Sequence, residues 1–319
     1  MIIIAGPTGV GKTASAIALA AAVGGRILSA DAMQVYKGMD VGTAKPSREE
    51  QAQVRHYLID VVRPDEAFDA ARFVSRARAV IESLHQRGIP IFVVGGTGLY
   101  IKALTKGLFH AEGAGSKKQV REKLQAEKSV LGLKALHERL CRLDPVAGSK
   151  VHPNDAFRVI RALEVYESTG KPISAHHLEH GFSDRPYRSL TLGLYMDRDQ
   201  LYERINRRVD QMLEMGLLDE VKALLGQGYG SELKPMSSIG YRHMVMYLEG
   251  RYSWDEAVET LKRDTRRYAK RQLTWFRSDP EMEWIEPDRV GEMRSKICSF
   301  LTSEVRGPRV RRRFYPHLG

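Results

Sequence analysis

Gly6-Pro7-Thr8-Gly9-Val10-Gly11-Lys12-Thr13 follows directly on the apolar run Ile2-Ile3-Ile4-Ala5. The eight residues satisfy G-x-x-x-x-G-K-[ST] in the strand–loop–helix setting that a phosphate-binding loop requires. Gly6, Gly9 and Gly11 let backbone N–H groups turn inward around an anion. The helix predicted over 12–23 points its positive N-terminal end at the same anion. Lys12 adds a mobile point charge. Thr13 offers a hydroxyl to a divalent cation, Mg2+. The loop therefore predicts a parallel sheet and a polyphosphate ligand, without saying whether that ligand is ATP.

Outward from the loop, the first hundred residues alternate strand and helix. Strands are expected at 2–5, 26–30 and 89–94, and helices at 12–23, 69–87 and 98–106. The pattern is that of an α/β, P-loop NTPase-like, doubly wound parallel sheet. Such sheets bind ligands at the carboxyl ends of their strands, so loops 6–13, 31–36 and 95–100 should face one crevice. From about residue 107 the character changes. Charged helical segments are expected near 117–128 and 132–142, then a helix capped by Asn154 or Asp155 and running to Ser168. A loop is expected over 170–187. Strand character returns at 190–196, followed by amphipathic helices near 199–214, 217–227, 239–248 and 254–277. The reading is a catalytic core of 1–112 and 187–319, including C-terminal helices, with a helical insertion over 113–186.

The chain has 319 residues, 43% of them hydrophobic, enough for a sizeable core. Fifty Lys and Arg against 39 Asp and Glu give a formal charge of +11, which points to an anionic macromolecular partner, nucleic acid first. The two cysteines, Cys141 and Cys298, are far apart and form no C-x-x-C, so a disulfide framework and a structural zinc are not expected and a reducing, cytoplasmic setting is. No apolar run reaches the roughly 18–20 residues that span a bilayer. No membrane partner is expected.

Asp31 closes the second strand and should face the phosphate site, where it could bind a metal or accept a proton; a turn or N-cap aspartate is the alternative. Gln34 has the groups to read a base edge. After the third strand stands Gly95-Gly96-Thr97, where ATPases of this class carry an aspartate that organises magnesium and water. Backbone N–H groups and one hydroxyl suit substrate positioning better. The segment Tyr57-Leu58-Ile59-Asp60 keeps an acidic strand end, and with it an ATPase, open. Arg158 with Arg161, and Arg204 with Arg208, share helix faces and could clamp phosphates. Arg266, Arg267, Lys270, Arg271 and Arg277 are interleaved with Tyr268, Trp275 and Phe276. That composition suits an RNA backbone with unstacked bases, or an amphipathic helix with Trp275 and Phe276 in a core. Arg309-Val310-Arg311-Arg312-Arg313 reads as a further electrostatic contact. His176-His177-Leu178-Glu179-His180 is not H-E-x-x-H, falls in the expected loop, and is not read as a metal site.

Taken together, these blocks resemble the bacterial tRNA dimethylallyltransferases. The resemblance rests on the phosphate loop, on Ser29-Ala-Asp-Ala-Met-Gln-Val-Tyr-Lys-Gly-Met-Asp-Val-Gly-Thr-Ala-Lys-Pro46, and on Gly95-Gly-Thr-Gly-Leu-Tyr100. It extends through His152–Glu164, Ile239-Gly-Tyr-Arg242 and Arg267–Arg277, covering residues 2 to about 285. It implies transfer of a dimethylallyl group from dimethylallyl diphosphate to N6 of the adenosine beside the anticodon, on its 3′ side. Gly6, Pro7, Thr8, Gly9, Val10, Gly11, Lys12 and Thr13 would then hold the diphosphate, with Mg2+ on Thr13. Asp31 would take the proton from N6, Thr97 would position the adenine, and Arg208 would steady the diphosphate. The anticodon stem-loop would be contacted by Asp31, Ala32, Met33, Gln34 and Thr97. Further contacts would come from Phe157, Arg158, Val159, Ile160 and Arg161, and from Ser238, Ile239, Gly240, Tyr241, Arg242 and His243. The chain is expected to act as a monomer. Two departures stand out. Ala32 replaces the family's usual Ser, removing a hydroxyl near Asp31. Ala114-Gly-Ser-Lys-Lys118 stands where relatives carry Ala-Asp-Pro, so the resemblance does not settle the tRNA contact there. An ATP-dependent small-molecule kinase and an RNA-binding ATPase remain the alternatives from the residues alone.

Overall fold

The computed structural model describes residues 1–107, 117–180 and 185–305. In chain order the elements are β1 (Ile2–Ala5), α1 (Lys12–Ala22), β2 (Arg26–Ser29), α2 (Arg48–Gln53), β3 (His56–Tyr57), α3 (Ala70–Gln86), β4 (Ile91–Gly95) and α4 (Gly98–Lys106). Then come α5 (Lys117–Leu143), α6 (Pro145–Lys150), α7 (Ala156–Thr169) and α8 (Ile173–His180). The chain continues with β5 (Leu190–Leu194), α9 (Arg198–Glu214), α10 (Leu217–Gly226), α11 (Tyr241–Leu248), α12 (Trp254–Arg277), β6 (Glu283–Ile285) and α13 (Val290–Val305).

Two compact units result, Met1–Leu104 with Tyr187–Gly319, and Thr105–Pro186. The first is built on a six-stranded, all-parallel sheet of order β3-β2-β4-β1-β5-β6. β1 lies inside it: Ile2 pairs with Phe92 on one side and Leu190 on the other, and Ala5 with Gly95 and Gly193. Ile2, Ile3 and Ile4 are at most 1% exposed, which is why the strand reads as an unbroken apolar run rather than an alternation. Each such side chain is worth roughly 1.5–3 kcal/mol on burial, so β1 is a rigid base for the loop that leaves it. The carboxyl ends of β1, β4 and β2 lie side by side, which brings together loops 6–13, 95–97 and 30–34.

Several bounds differ from the sequence reading for local reasons. β4 starts at Ile91 because Pro90 has no N–H for the ladder and lends its carbonyl to Arg26 N–H at 2.9 Å instead. β3 and β6 are two and three residues long, too short for a periodic signal. The stretch over 170–187 is not all loop, since α8 occupies Ile173–His180. The His176–His180 run therefore sits on a helix, with the His176 ring Nε2 3.0 Å from Thr169 Oγ1. Among the described residues no group of three His, Cys, Asp or Glu could hold a metal ion.

The second unit is helical. α5 bends at Gly132, whose φ is 80°, and this separates the two helical segments expected there. α7 is capped by Asp155, whose carboxylate accepts from Arg158 N–H at 3.0 Å. Leu124, Leu136, Leu140, Val159, Ile160 and Leu163 form its core. Across that core Arg139 is paired with Glu127 at 2.9 Å and with Glu167 at 2.5 Å.

Candidate active site

The three strand ends open on a cleft of about 480 Å³, lined by Thr8, Gly9, Gly11, Lys12 and Thr13 from the first loop. Asp31 and Gln34 line it from the second, and Gly95 and Gly96 from the third. The rest of its wall includes Arg204, Arg207, Arg208 and Gln211 of α9, and Tyr268 and Gln272 of α12.

The phosphate loop has the expected shape. Gly11, at φ 104°, is the N-cap of α1, and no side chain caps that helix. Its first N–H groups are left for a ligand. Lys12 Nζ donates to Pro7 C=O at 2.7 Å, which holds the ammonium beside the loop. Burial, with the Arg208 guanidinium, lowers the Lys12 pKa to about 7 against the opposing pull of Asp31. Arg208 is itself shifted down by burial. Crowding cations in a partly dry cleft costs energy that an entering anion offsets.

α9 delivers its arginines because Leu201, Ile205 and Val209 bury the opposite face. Asp197 caps it through Asp199 N–H at 2.8 Å. Arg266 donates to Asn206 at 2.6 Å, and Lys262 pairs with Asp210 at 2.7 Å, which ties α9 to α12. Arg204 and Arg208, four apart, thus reach the cleft together.

Asp31 is both a turn residue and a cleft carboxylate. Its Oδ1 accepts from Met33 N–H at 2.8 Å and Gln34 N–H at 3.3 Å. Its charge acts on Lys12 and on Arg208. Thr97 Oγ1 accepts from Ala32 N–H at 3.0 Å, and Thr97 N–H donates to Ala30 C=O at 3.2 Å. Thr97 therefore stitches the loop after β4 to the loop bearing Asp31. The Ala32 backbone keeps this contact without the hydroxyl that a Ser would bring. Gln34, expected to read a base edge, has its amide committed elsewhere. Its Nε2 donates to Thr43 C=O at 3.4 Å and Ala44 C=O at 3.3 Å, and its Oε1 accepts from Ser29 Oγ at 3.0 Å.

Gln272 was not singled out from sequence. It is 6% exposed on an otherwise charged helix. Its Oε1 accepts from Thr8 N–H at 2.8 Å and its Nε2 donates to Gly96 C=O at 2.9 Å. One side chain thereby clamps the phosphate loop to the loop after β4. The available signal was spacing: Gln272 follows Tyr268 by four, placing both on one face. Burial raises the Tyr268 phenol to about 12, with the Asp31 charge adding to the shift, so it stays a neutral hydroxyl. Of the two aromatics, Phe276 is 3% exposed, and Trp275 is 41% exposed with its indole edge against Gly98. Asp60, the alternative acidic strand end, is paired with Lys45 at 2.6 Å and does not line the cleft.

The residues expected to contact tRNA differ in how far their side chains are exposed. Val159 and Ile160 are buried in the helical unit, and Tyr241 and His243 are buried in the first unit. At these four positions the side chains belong to cores, which leaves the backbone as the group a partner could meet. Phe157 is 66% exposed, with Arg121 5.6 Å from its ring centre. Arg158 is exposed, and Arg242 pairs with Asp264 at 2.5 Å. Arg161 lies 3.3 Å from Glu164, Ser238 Oγ donates to Pro235 C=O at 2.6 Å, and Ile239 is half-buried. Arg309–Arg313 and residues 114–116 lie outside the described residues.

Sheet, loop and cleft define a protein of the P-loop class with a carboxylate facing the loop across the cleft. Comparison with known proteins narrows the class. The family model described as IPP transferase matches residues 34–279. A tRNA dimethylallyltransferase of Syntrophobacter fumaroxidans is 55% identical over 286 residues, covering 90% of this chain and 83% of the relative. One of Desulfatibacillum aliphaticivorans is 52% identical over 301 residues, covering 94% and 98%. Among solved structures, the tRNA isopentenylpyrophosphate transferase of Bacillus halodurans matches with a TM-score of 0.70 at 41% identity, covering 95% of this chain and 97% of that one. A eukaryotic dimethylallyltransferase acting on tRNA matches at 0.80 and 28% identity, covering 97% and 81%. The chain belongs to the tRNA dimethylallyltransferase family.

Proposed function

We propose that this chain transfers the dimethylallyl group of dimethylallyl diphosphate to N6 of the tRNA adenosine on the 3′ side of the anticodon. The observation that carries the reading is one cleft holding Asp31, the phosphate loop and the arginines of α9 together. The adenosine amine attacks the allylic carbon. The N6–C bond forms as the C–O bond to the diphosphate breaks, and Asp31 takes the N6 proton. An exocyclic amine is a weak nucleophile, so a positioned base is needed. The departing diphosphate gains charge, and Lys12, Arg204 and Arg208 are placed to stabilise it. To reach the cleft the adenosine leaves its stack, and the exposed basic and aromatic residues of α12 suit the flanking RNA.

The donor set suits Mg2+. Thr13 offers oxygen only, and this ion keeps waters and substrate phosphates beside one or two protein oxygens. Thr13 would hold it through its hydroxyl, and its charge would help neutralise the diphosphate. An ATPase reading is not favoured, because β4 ends in Gly95-Gly96-Thr97 and Asp60 is engaged by Lys45. Incubating unmodified tRNA with dimethylallyl diphosphate and Mg2+ should add one dimethylallyl unit to the anticodon-loop fragment by mass spectrometry. ATP hydrolysis with no mass gain on tRNA would overturn the reading.

Diphosphate binding should also take up a proton. Lys12, with a free-state pKa of about 7, is largely neutral near pH 8, and an anion beside it raises that value. Affinity should fall as pH climbs from about 7 towards the bound-state pKa, and should be independent of this group below about 7, where Lys12 is charged in both states. Calorimetry in buffers of different ionisation enthalpy should register up to about one proton per site near pH 8. Lys12→Met should abolish the uptake, and equal heats in all buffers for the wild type would refute the linkage.

A further inference from the structure

Two sequence blocks carry no step of the chemistry above, Lys37–Pro46 and Ile239–Arg242, yet the structure locks them onto each other. The lock is Glu220, in the first turn of α10. Its Oε2 accepts from Asp40 N–H and Val41 N–H, each at 2.8 Å. Its Oε1 accepts from Gly42 N–H at 3.1 Å and from Tyr241 Oη–H at 2.6 Å. Three successive backbone N–H groups form an anion nest, and here the anion is the protein's own carboxylate. All four donors are neutral, so the geometry of this loop, not ion pairing, sets the contact. Tyr241 closes it from above: a Cβ on Gly42 would lie 2.6 Å from the phenol ring. Burial and the Glu220 charge both raise the Tyr241 pKa, which keeps the phenol a donor.

The gripped loop leads straight to Asp31. Thr43 and Ala44, the next two residues, give their carbonyls to Gln34 Nε2. Gln34 N–H in turn donates to Asp31 Oδ1. Thr43, Ala44 and Pro46 also line the cleft. We infer that Glu220, through Tyr241 and the Asp40–Gly42 nest, is a positioning residue that fixes the Asp31 turn against the phosphate loop. This deepens the proposed function and rests on it for the role of Asp31. It gives Gln34 a place as a strut, and gives Tyr241 a role although its side chain is buried.

The test combines hydrogen exchange with kinetics on Glu220→Ala, Glu220→Gln and Tyr241→Phe. Glu220→Ala should speed exchange at Asp40, Val41 and Gly42. It should lower kcat about 10- to 100-fold, the scale of an ångström-sized misplacement, with KM for dimethylallyl diphosphate nearly unchanged. Glu220→Gln should recover part of kcat, since its oxygen still serves two N–H groups while its amide nitrogen donates to Tyr241 Oη. Tyr241→Phe keeps the ring on Gly42 and should shift both readouts less, in the same direction; it carries the test if Glu220→Ala does not fold. Faster exchange with full kcat would overturn the proposal, as would unchanged exchange. Should the wild type transfer nothing to tRNA, the proposed function falls, while exchange at 40–42 still decides the anchoring.

Discussion

Asp31→Asn should lose roughly 10²- to 10⁴-fold in kcat, the range for a general base, while the protein folds and binds diphosphate as before. The choice of Asn separates the two jobs of this residue. Asn keeps an Oδ1 that can accept from Met33 and Gln34 N–H, and it favours the same turn. What it lacks is a carboxylate to receive the N6 proton. Its loss also removes a negative charge that acts on Lys12 and Arg208, so diphosphate affinity should stay level or rise. Single-turnover transfer to tRNA measures the chemical step, and circular dichroism checks the fold. An Asn variant within about twofold of wild type would remove Asp31 from the base role. Asp31→Ala is less informative, because it abolishes the turn and the proton acceptor together.

Gly95→Ala should be the most damaging small substitution in the sheet. A Cβ there would sit 2.2 Å from Ala30 O and 2.5 Å from Ala30 C. Both are backbone atoms, so no side chain can yield. Ala30 cannot retreat without cost, since its N–H donates to Val94 C=O at 2.7 Å and its C=O accepts from Thr97 N–H at 3.2 Å. Overpacking costs about 1–3 kcal/mol where side chains adjust, and this site belongs at or above the top of that range. At about 2–4 °C per kcal/mol for a unit of this size, Tm should fall by roughly 6–12 °C. Transfer should be nearly lost as well, because Asp31 follows Ala30. Gly226→Ala is the control: nothing lies within 4 Å of its Cβ, and the change should be neutral or slightly stabilising. A Gly95→Ala variant that melts with the wild type would show that β2 and β4 can separate freely.

The core of the site was legible because its chemistry is local in sequence. The phosphate loop, Asp31 and Gly95–Thr97 each end a buried strand, and parallel sheets gather such ends. Arg204 and Arg208 were legible as a helical pair, though only the structure aims them at the cleft. Gln272 was hidden because its two partners, Thr8 and Gly96, are 264 and 176 residues away. Glu220 was hidden for the same reason, lying 178 to 180 residues from the N–H groups it holds. Val159 and Tyr241 lie in motif blocks, yet their side chains are buried. A motif block marks which residues matter together, without separating those that face the core from those that face a ligand. α8 escaped because one short helix carries little periodicity, and β3 and β6 because two or three residues carry none.

The brevity of β3 and β6 has its own consequence. They are the outermost strands of the sheet. An edge strand presents unpaired N–H and C=O groups on which a second chain can build, and short edges offer few of them. The fully buried apolar strands β1 and β4 lie inside, flanked on both sides. The sheet is thus guarded against edge-to-edge aggregation by the same two elements that are hardest to read from sequence.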